Sequence, residues 1–171
     1  MKNYVYTLLN GSKLTKSDFI KYFEKKVFKT IRKFDMLKFD DKILVATSGE
    51  KDSMTTLYLL HKYMKKRNLH KNLSAITVDE GIINYRKKTI AKLKKFCKNH
   101  DIELFVETFK KHINSTQDDN VKLISKKNLN LSPCKICGTY RRYIINKVAQ
   151  ELKATKVATG HNTDDEAQTI L

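Results

Sequence analysis

The sequence predicts an α/β fold in which a parallel sheet is flanked by helices, because short apolar runs alternate with amphipathic helical segments. The strand-like runs are residues 42–47, 73–78, 102–106 and 155–159. Helical periodicity follows them over residues 54–66, 85–97, 140–152 and 163–171. Residues 110–131 are polar and irregular and receive no assignment. This alternation favours parallel pairing, since parallel strands are joined by crossover connections.

The first 39 residues follow a different pattern. An extended stretch with a turn at Asn10-Gly11 precedes a helix that Thr15 or Ser17 can cap. The apolar stripe of that helix consists of Phe19, Phe23, Val27, Ile31 and Phe34. Ten basic and three acidic residues make the segment strongly positive. We predict two domains, an N-terminal basic segment with an amphipathic helix over residues 1–39 and a second domain over residues 40–171.

The composition indicates a globular protein with an anionic partner. The 171 residues carry 35 Lys and Arg against 18 Asp and Glu, a net charge of +17. A lysine-rich chain also arises from AT-rich coding, but residues 84–99 hold seven basic residues and no acidic one, which favours nucleic acid. No apolar run reaches the roughly 18 residues of a membrane span, so no membrane partner is expected. Three cysteines indicate a reducing, cytoplasmic location.

The turn over residues 48–53 joins the first predicted strand to its helix. Gly49 permits a tight backbone, while Ser48 and Ser53 supply hydroxyl groups and Lys51 a positive charge. A helix N-terminus offers free N–H groups, so this turn suits an anion such as phosphate. The spacing is not that of a Walker A loop. Ser and Asp also cap ordinary turns, so the residues alone leave both interpretations open.

Two cysteines stand three residues apart in the segment PCKICG at residues 133–138, before a predicted helix that opens with Arg141 and Arg142. Cys134 and Cys137 can supply half of a tetrahedral zinc or iron–sulfur site. A structural or redox-active pair is the alternative. Cys97 falls in mid-helix, where a buried apolar role is expected.

A third candidate site, TGHNTDDE at residues 159–166, follows the fourth predicted strand. Its three acidic residues can cap a helix or hold Mg²⁺ against a nucleotide. All three sites follow the carboxyl ends of predicted strands or lie on the loops beyond them, where open parallel sheets bind ligands. We therefore expect one composite site.

Four motifs, taken in order, resemble those of the PP-loop tRNA thiolation enzymes: SGxKDS after a strand, VDEGI followed by Tyr85-Arg86, PCxxCGxxRRY, and ATGHNxDDEAQT. The nearest branch is the TtuA/NcsA-type tRNA-uridine 2-sulfurtransferases, to which the TtcA-type enzymes are related. The resemblance implies an adenine-nucleotide alpha-hydrolase-like fold, with residues 40–171 as the ATP-binding domain. It also implies a reaction in which Mg-ATP adenylates the C2 carbonyl oxygen of a tRNA base and sulfur then displaces AMP.

The resemblance assigns roles to individual residues. Those implied to hold the nucleotide are Ala46, Thr47, Ser48, Gly49, Lys51, Asp52, Ser53, Asp79, Gly160 and His161. Cys134 and Cys137 are implied as two of three ligands of a [4Fe-4S] cluster that carries the sulfur, and Asp164 as a Mg²⁺ ligand. The implied catalytic residues are Asp52, Asp164, Cys134 and Cys137. RNA contacts are expected from Arg86, Lys88, Lys92, Lys95, Arg141 and Arg142. The implied partners are tRNA and a sulfur donor, either a protein or sulfide, and a homodimer is left open.

The sequence departs from the family pattern at three points. Glu50 stands where the family has a second glycine, which predicts weaker ATP binding unless its carboxylate faces solvent or a lysine. The third cluster cysteine is expected beyond the last residue, and the short final helix likewise indicates truncation or fraying. Residues 14–19 lack the soft ligands of the family's N-terminal zinc module, so no zinc is predicted.

The leading hypothesis is therefore an ATP-dependent tRNA sulfurtransferase. The alternative is a catalytically degenerate tRNA-binding or regulatory remnant of that family, which Glu50 and the missing third cysteine favour. Another kind of PP-loop enzyme is a third interpretation. The PCxxCGxxRRY segment counts against it, because an amidotransferase-like or lysidine-forming reaction needs no sulfur carrier.

Overall fold

The computed structural model describes residues 3–170. Met1, Lys2 and Leu171 lie outside the described residues. The first two residues of the predicted 1–39 segment and the last residue of the predicted 163–171 helix are therefore not described. The chain divides into two compact units, of which the first ends at Asp40 and the second begins at Asp41. No helix within the described part of the chain is both long and apolar enough to span a bilayer.

The first unit is a hairpin followed by a helix. Strand β1 (Tyr4–Thr7) pairs antiparallel with β2 (Lys13–Thr15), and α1 (Lys16–Lys33) follows directly. The predicted turn at Asn10-Gly11 lies between the strands, with Gly11 at a φ of +82°. At this left-handed φ glycine avoids the strain that a side chain would bring.

The apolar stripe expected on α1 is partly wrong. The buried side chains of this helix are Glu24, Phe28 and Ile31, whereas Phe23 and Phe34 are exposed. The predicted apolar residues and the residues that are buried in the structure both recur every three to four positions. Periodicity alone therefore does not decide which of two neighbouring helix faces is buried.

The second unit contains a four-stranded parallel sheet with the strand order β5-β4-β3-β6. Its strands are β3 (Ile43–Ala46), β4 (Leu73–Asp79), β5 (Glu103–Thr108) and β6 (Lys156–Ala158). Every pairing is parallel, so all four carboxyl ends meet at one edge. The predicted fold class and all four predicted strands are confirmed.

The described part of the second unit, residues 41–170, also contains six helices. They are α2 (Lys51–Lys65), α3 (Lys87–His100), α4 (Phe109–Ile113), α5 (Gln117–Lys126), α6 (Pro133–Glu151) and α7 (Thr163–Ile170), and a 3₁₀ turn (His70–Asn72) precedes β4. Helix α5 and most of α4 lie in the region that received no assignment.

Helix α6 begins seven residues before the predicted start at position 140. Pro133 occupies its first turn, where a missing N–H costs nothing and the fixed φ suits a helix. Cys134 and Cys137 therefore lie inside the helix rather than before it, and their spacing of three residues places them on the same side.

The hydrophobic core fixes α6 against the sheet. Leu44 of β3 and Ile76 of β4 are fully buried in one cluster with Ile144 and Val148 of α6. Phe109 of α4 completes this cluster. Cys137, in the N-terminal half of α6, belongs to the same cluster, so this part of the helix also has a fixed position relative to the strands.

Candidate functional site

The turn between β3 and α2 is organised by two serine hydroxyl groups. The Ser48 N–H donates to Ser53 Oγ at 3.1 Å, and Ser53 Oγ donates to the Glu50 carbonyl oxygen at 3.0 Å. Gly49 has a φ of +79°, and a Cβ there would lie 2.9 Å from the Thr89 carbonyl oxygen. Conformation and lack of space therefore both require glycine at this position.

The loop after β6 comes directly onto the start of α2. A Cβ on Gly160 would lie 2.7 Å from the Ser53 nitrogen and 2.8 Å from the Ser53 Cα. Both are backbone atoms, which cannot turn aside as a flexible side chain can. Gly160 thus permits the first and third candidate sites to meet, as a composite site requires.

These two loops and α6 enclose a cleft of about 330 Å³. The residues predicted to bind nucleotide that line it are Ala46, Thr47, Ser48, Asp52, Ser53, Gly160 and His161. The apolar side chains of Ile76 and Val78 line it too, and Arg141 and Arg142 add positive charge from α6. This combination of apolar wall, helix N-terminus and cations suits a nucleotide with its phosphates.

The other predicted nucleotide-binding residues occupy different places. Gly49 lies against Thr89, and Lys51 is exposed at the first position of α2. Asp79 lines a separate cleft. Asp164 is exposed in the first turn of α7, and its N–H donates to Asn162 Oδ1 at 2.9 Å.

Glu50 is conformationally ordinary. It precedes the first residue of α2 with φ −87° and ψ 167°, an extended conformation that any residue adopts. The side chain is exposed and lies at the cleft. Replacing a glycine here therefore leaves the turn intact and changes only bulk and charge beside the cleft.

Arg86, for which an RNA contact is predicted, is a buried residue that bonds to the protein itself. Its side chain is only 6 % exposed. One guanidinium nitrogen donates to the Ser48 carbonyl oxygen at 2.6 Å, and the other donates to Thr77 Oγ1 at 3.2 Å and to the Val78 carbonyl oxygen at 3.0 Å. Arg86 therefore ties the turn after β3 to the end of β4.

Sequence reasoning missed Glu80, which is 1 % exposed and lies between two arginines. Glu80 Oε2 is 3.2 Å from Arg86 Nε, and Glu80 Oε1 is 2.9 Å from Arg141 Nη2. These are charge pairs rather than aligned hydrogen bonds. A glutamate after a buried strand, followed six residues later by arginine, is the only signal in the sequence. Glu80 thus connects the turn after β3 with the helix that carries the cysteines.

The two cysteines of α6 differ in environment. Cys134 is exposed, whereas Cys137 is buried and its sulfur lies 3.6 Å from Arg141 Nη2. Burial raises the pKa of the Cys137 thiol, and the nearby Arg141 guanidinium offsets only part of that rise. Burial also raises the pKa of the Cys97 thiol to about 11, as expected of a core residue. Among residues 3–170, no three His, Cys, Asp or Glu side chains form a metal site by themselves.

The remaining residues predicted to contact RNA are at the surface. Lys88, Lys92 and Lys95 are exposed on α3 at a spacing of four and three residues, so they share one face. Arg142 is exposed on α6 beside the cleft.

We expect Glu80→Gln to destabilise the second unit by about 3 kcal/mol, because two guanidinium groups lose their buried counter-charge. The measurement is urea unfolding at neutral pH. Glu103→Gln is the matched control, since Glu103 is exposed at the start of β5, and a change within about 0.5 kcal/mol is expected there. Equal stability of the two variants would contradict the structural role of Glu80.

Residues 20–171 match the PP-loop domain family. The chain is 34 % identical over 161 residues to cytoplasmic tRNA 2-thiolation protein 1 of Dictyostelium discoideum, which covers 94 % of this chain and 44 % of that protein. It is 36 % identical over 158 residues to the tRNA-5-methyluridine(54) 2-sulfurtransferase of Pyrococcus horikoshii, covering 92 % of this chain and 47 % of that one.

A solved structure is similar as well. The U34-tRNA thiolase NcsA from Methanococcus maripaludis, with its [4Fe-4S] cluster, matches with a TM-score of 0.81 and 36 % identity, over 98 % of this chain and 53 % of that one. The chain spans about half the length of the curated relatives it matches. The resemblance drawn from the four motifs is confirmed, and the chain belongs to the PP-loop domain family.

Proposed function

We propose that this chain carries out ATP-dependent tRNA 2-thiolation, in which adenylation of a tRNA base is followed by sulfur transfer. The observation that carries the proposal is that the N-terminus of α2, two serine hydroxyls and two arginines line the same cleft. One of these arginines, Arg141, contacts the sulfur of the buried Cys137. The proposed phosphate site and the proposed sulfur site would thus lie next to each other. An enzyme that activates a base with ATP and then transfers sulfur needs that juxtaposition.

In the proposal the phosphates lie over the turn formed by residues 48–53. Free N–H groups at the start of α2 and the guanidinium groups of Arg141 and Arg142 supply positive charge. Asp52 also lines the cleft, and a carboxylate approaches phosphates only through a cation. We therefore assign it to Mg²⁺, with Asp164 retained as a second proposed acidic residue. The adenine ring would contact the apolar side chains of Ile76 and Val78.

The proposed chemistry has two displacements. The C2 carbonyl oxygen of the tRNA base attacks the α-phosphorus of ATP, and pyrophosphate leaves. A sulfur nucleophile then adds to C2, and the C–O bond breaks so that AMP departs with the former carbonyl oxygen. Both steps release a phosphate oxygen whose charge the arginines of α6 stabilise.

Cys134 and Cys137 fit the proposed cluster in ligand type and position, since two sulfur ligands face one side of α6 next to the cleft. A bound [4Fe-4S] cluster would supply sulfur from an open iron, and its third ligand would come from outside these two residues. Arg141 would hold the Cys137 sulfur toward the cleft. The proposed partners are tRNA and a sulfur donor, which is either a protein or sulfide. We propose a cytoplasmic location with no membrane partner, and a homodimer is a further proposal.

A second candidate function is a tRNA-binding remnant without turnover. Glu50 favours it, because an exposed carboxylate at the cleft repels phosphate. The intact serine pair and the retained Asp52 favour the enzyme.

Incubation with α-labelled ATP, Mg²⁺ and bulk tRNA without oxygen separates these two functions. We expect labelled AMP only when tRNA is present. Asp52→Ala removes the proposed Mg²⁺ ligand, so we expect it to abolish AMP release. Glu151 is an exposed acidic residue at the end of α6, and we expect the control variant Glu151→Ala to release AMP as the unmodified chain does. AMP release by the Asp52→Ala variant would refute the site, and tRNA binding without AMP would identify the remnant.

Glu50→Gln tests whether the carboxylate lowers ATP affinity. The change keeps the shape of the side chain and removes its charge, so we expect Mg-ATP to bind roughly two- to fivefold more tightly in titration calorimetry. Glu151→Gln is the control with an equal change in net charge. An unchanged affinity would show that Glu50 does not face the phosphates.

Charge reversal on α3 tests the RNA surface. Replacing Lys88, Lys92 and Lys95 by Glu weakens tRNA binding and flattens its dependence on salt, because fewer counterions are released. The control reverses Lys65, Lys71 and Lys147, which are exposed elsewhere in the second unit and give the same net charge. Equal effects of the two triple variants would leave only a general charge effect and contradict a defined surface.

A further inference from the structure

A second cleft, of about 570 Å³, lies beside the first at the carboxyl edge of the sheet. It is lined by the loop after β4 and the first half of α3, and also by Asp79 at the end of β4 and Val106 of β5. Arg86 borders both clefts, so they are neighbours. The proposed ATP site does not use this space.

The loop that forms the outer wall is held in place through its backbone. The Gly81 N–H donates to Asp79 Oδ1 at 2.9 Å, and the Ile83 N–H donates to Asp118 Oδ2 at 3.1 Å. Gly81 has a φ of +73°, and a Cβ there would lie 2.8 Å from the Thr116 side chain. The loop is thus fixed between β4 and α5.

This fixed loop presents large apolar side chains to solvent. Ile83 is 78 % and Tyr85 is 62 % exposed, although Arg86, the next residue after Tyr85, is buried. The cleft behind them is apolar through Ile82, Ile90 and Val106. An exposed aromatic ring on a rigid loop beside an apolar cleft offers a stacking surface at little conformational cost.

The rim of this cleft is positively charged. Lys87 and Lys94 line it from α3, and no acidic residue occurs between positions 84 and 99. Among the described residues that line the cleft, Asp79 alone carries a carboxylate, and this group already accepts the Gly81 N–H. The charge therefore suits an anionic occupant, and the aromatic and apolar walls suit a base.

We propose that this cleft binds an unpaired nucleotide of the RNA, next to the nucleotide being modified. Its base stacks on Tyr85 and its phosphate lies at Lys87 and Lys94. This inference rests on the proposed function only in taking RNA as the substrate. A paired base is stacked in its helix and cannot enter, so the site selects single-stranded or looped RNA.

The sequence contains no tryptophan, so Tyr85→Trp introduces a unique fluorophore at the proposed stacking position. We expect a short oligouridylate to quench its emission strongly and an RNA duplex of the same length to quench it little. Tyr143→Trp, at a site that is 53 % exposed on α6, is the matched control and should respond weakly to both probes. Equal quenching of the two variants would overturn the proposal.

Binding of the same oligouridylate gives an independent measurement. Stacking predicts that Tyr85→Ala weakens binding by about fivefold or more and that Tyr85→Phe, which keeps the ring, retains it. Tyr143→Ala should bind as the unmodified chain does. Equal binding by the Tyr85→Ala and Tyr143→Ala variants overturns the stacking site.

These outcomes are separable from failure of the proposed enzyme. A Tyr85-dependent affinity without AMP release supports the cleft and rejects the reaction. AMP release with no effect of Tyr85 supports the reaction and rejects the cleft. If the unmodified chain binds neither oligouridylate nor tRNA, both the cleft and the RNA substrate are rejected.

Discussion

The carboxylate of Glu80 is buried between the guanidinium groups of Arg86 and Arg141, and the arrangement of the carboxyl edge depends on this contact. Arg86 extends it to the Ser48 carbonyl oxygen, and Arg141 extends it to the Cys137 sulfur. A buried charge without a partner is costly, so the three side chains hold one another in place. The turn at residues 48–53 and helix α6 come from distant parts of the sequence, and this network sets their relative position.

The sequence predicted the central strands β3 and β4 well because both are largely buried and rich in apolar residues. The edge strands β5 and β6 are only partly buried, and their alternation with helical segments supported their prediction. The sequence placed the start of α6 too late because residues 133–139 carry cysteines and small residues whose helical periodicity is weak. It assigned Arg86 to RNA because composition cannot distinguish a buried arginine from an exposed one. Glu80 went unnoticed for the same reason, since its partners are set by tertiary packing.

The comparison of Gly49 with Glu50 separates the backbone shape of the turn at residues 48–53 from its charge. Gly49 is required by its left-handed backbone and by Thr89, whereas Glu50 has an extended conformation that any residue adopts. The sequence can therefore lose the second glycine of the family pattern without losing the shape of the turn. What changes is the electrostatic potential at the cleft, which affects affinity for an anion rather than folding.

Amide chemical shifts of the isotope-labelled chain test whether ATP binds over the turn at residues 48–53. On titration with Mg-ATP, we expect the largest shifts at Ser48, Ser53 and Gly160, while amides of residues 82–85 change little. Saturation should follow a single binding curve. If the largest shifts fall outside residues 46–53 and 159–161, or if no amide responds, the proposed nucleotide site is wrong.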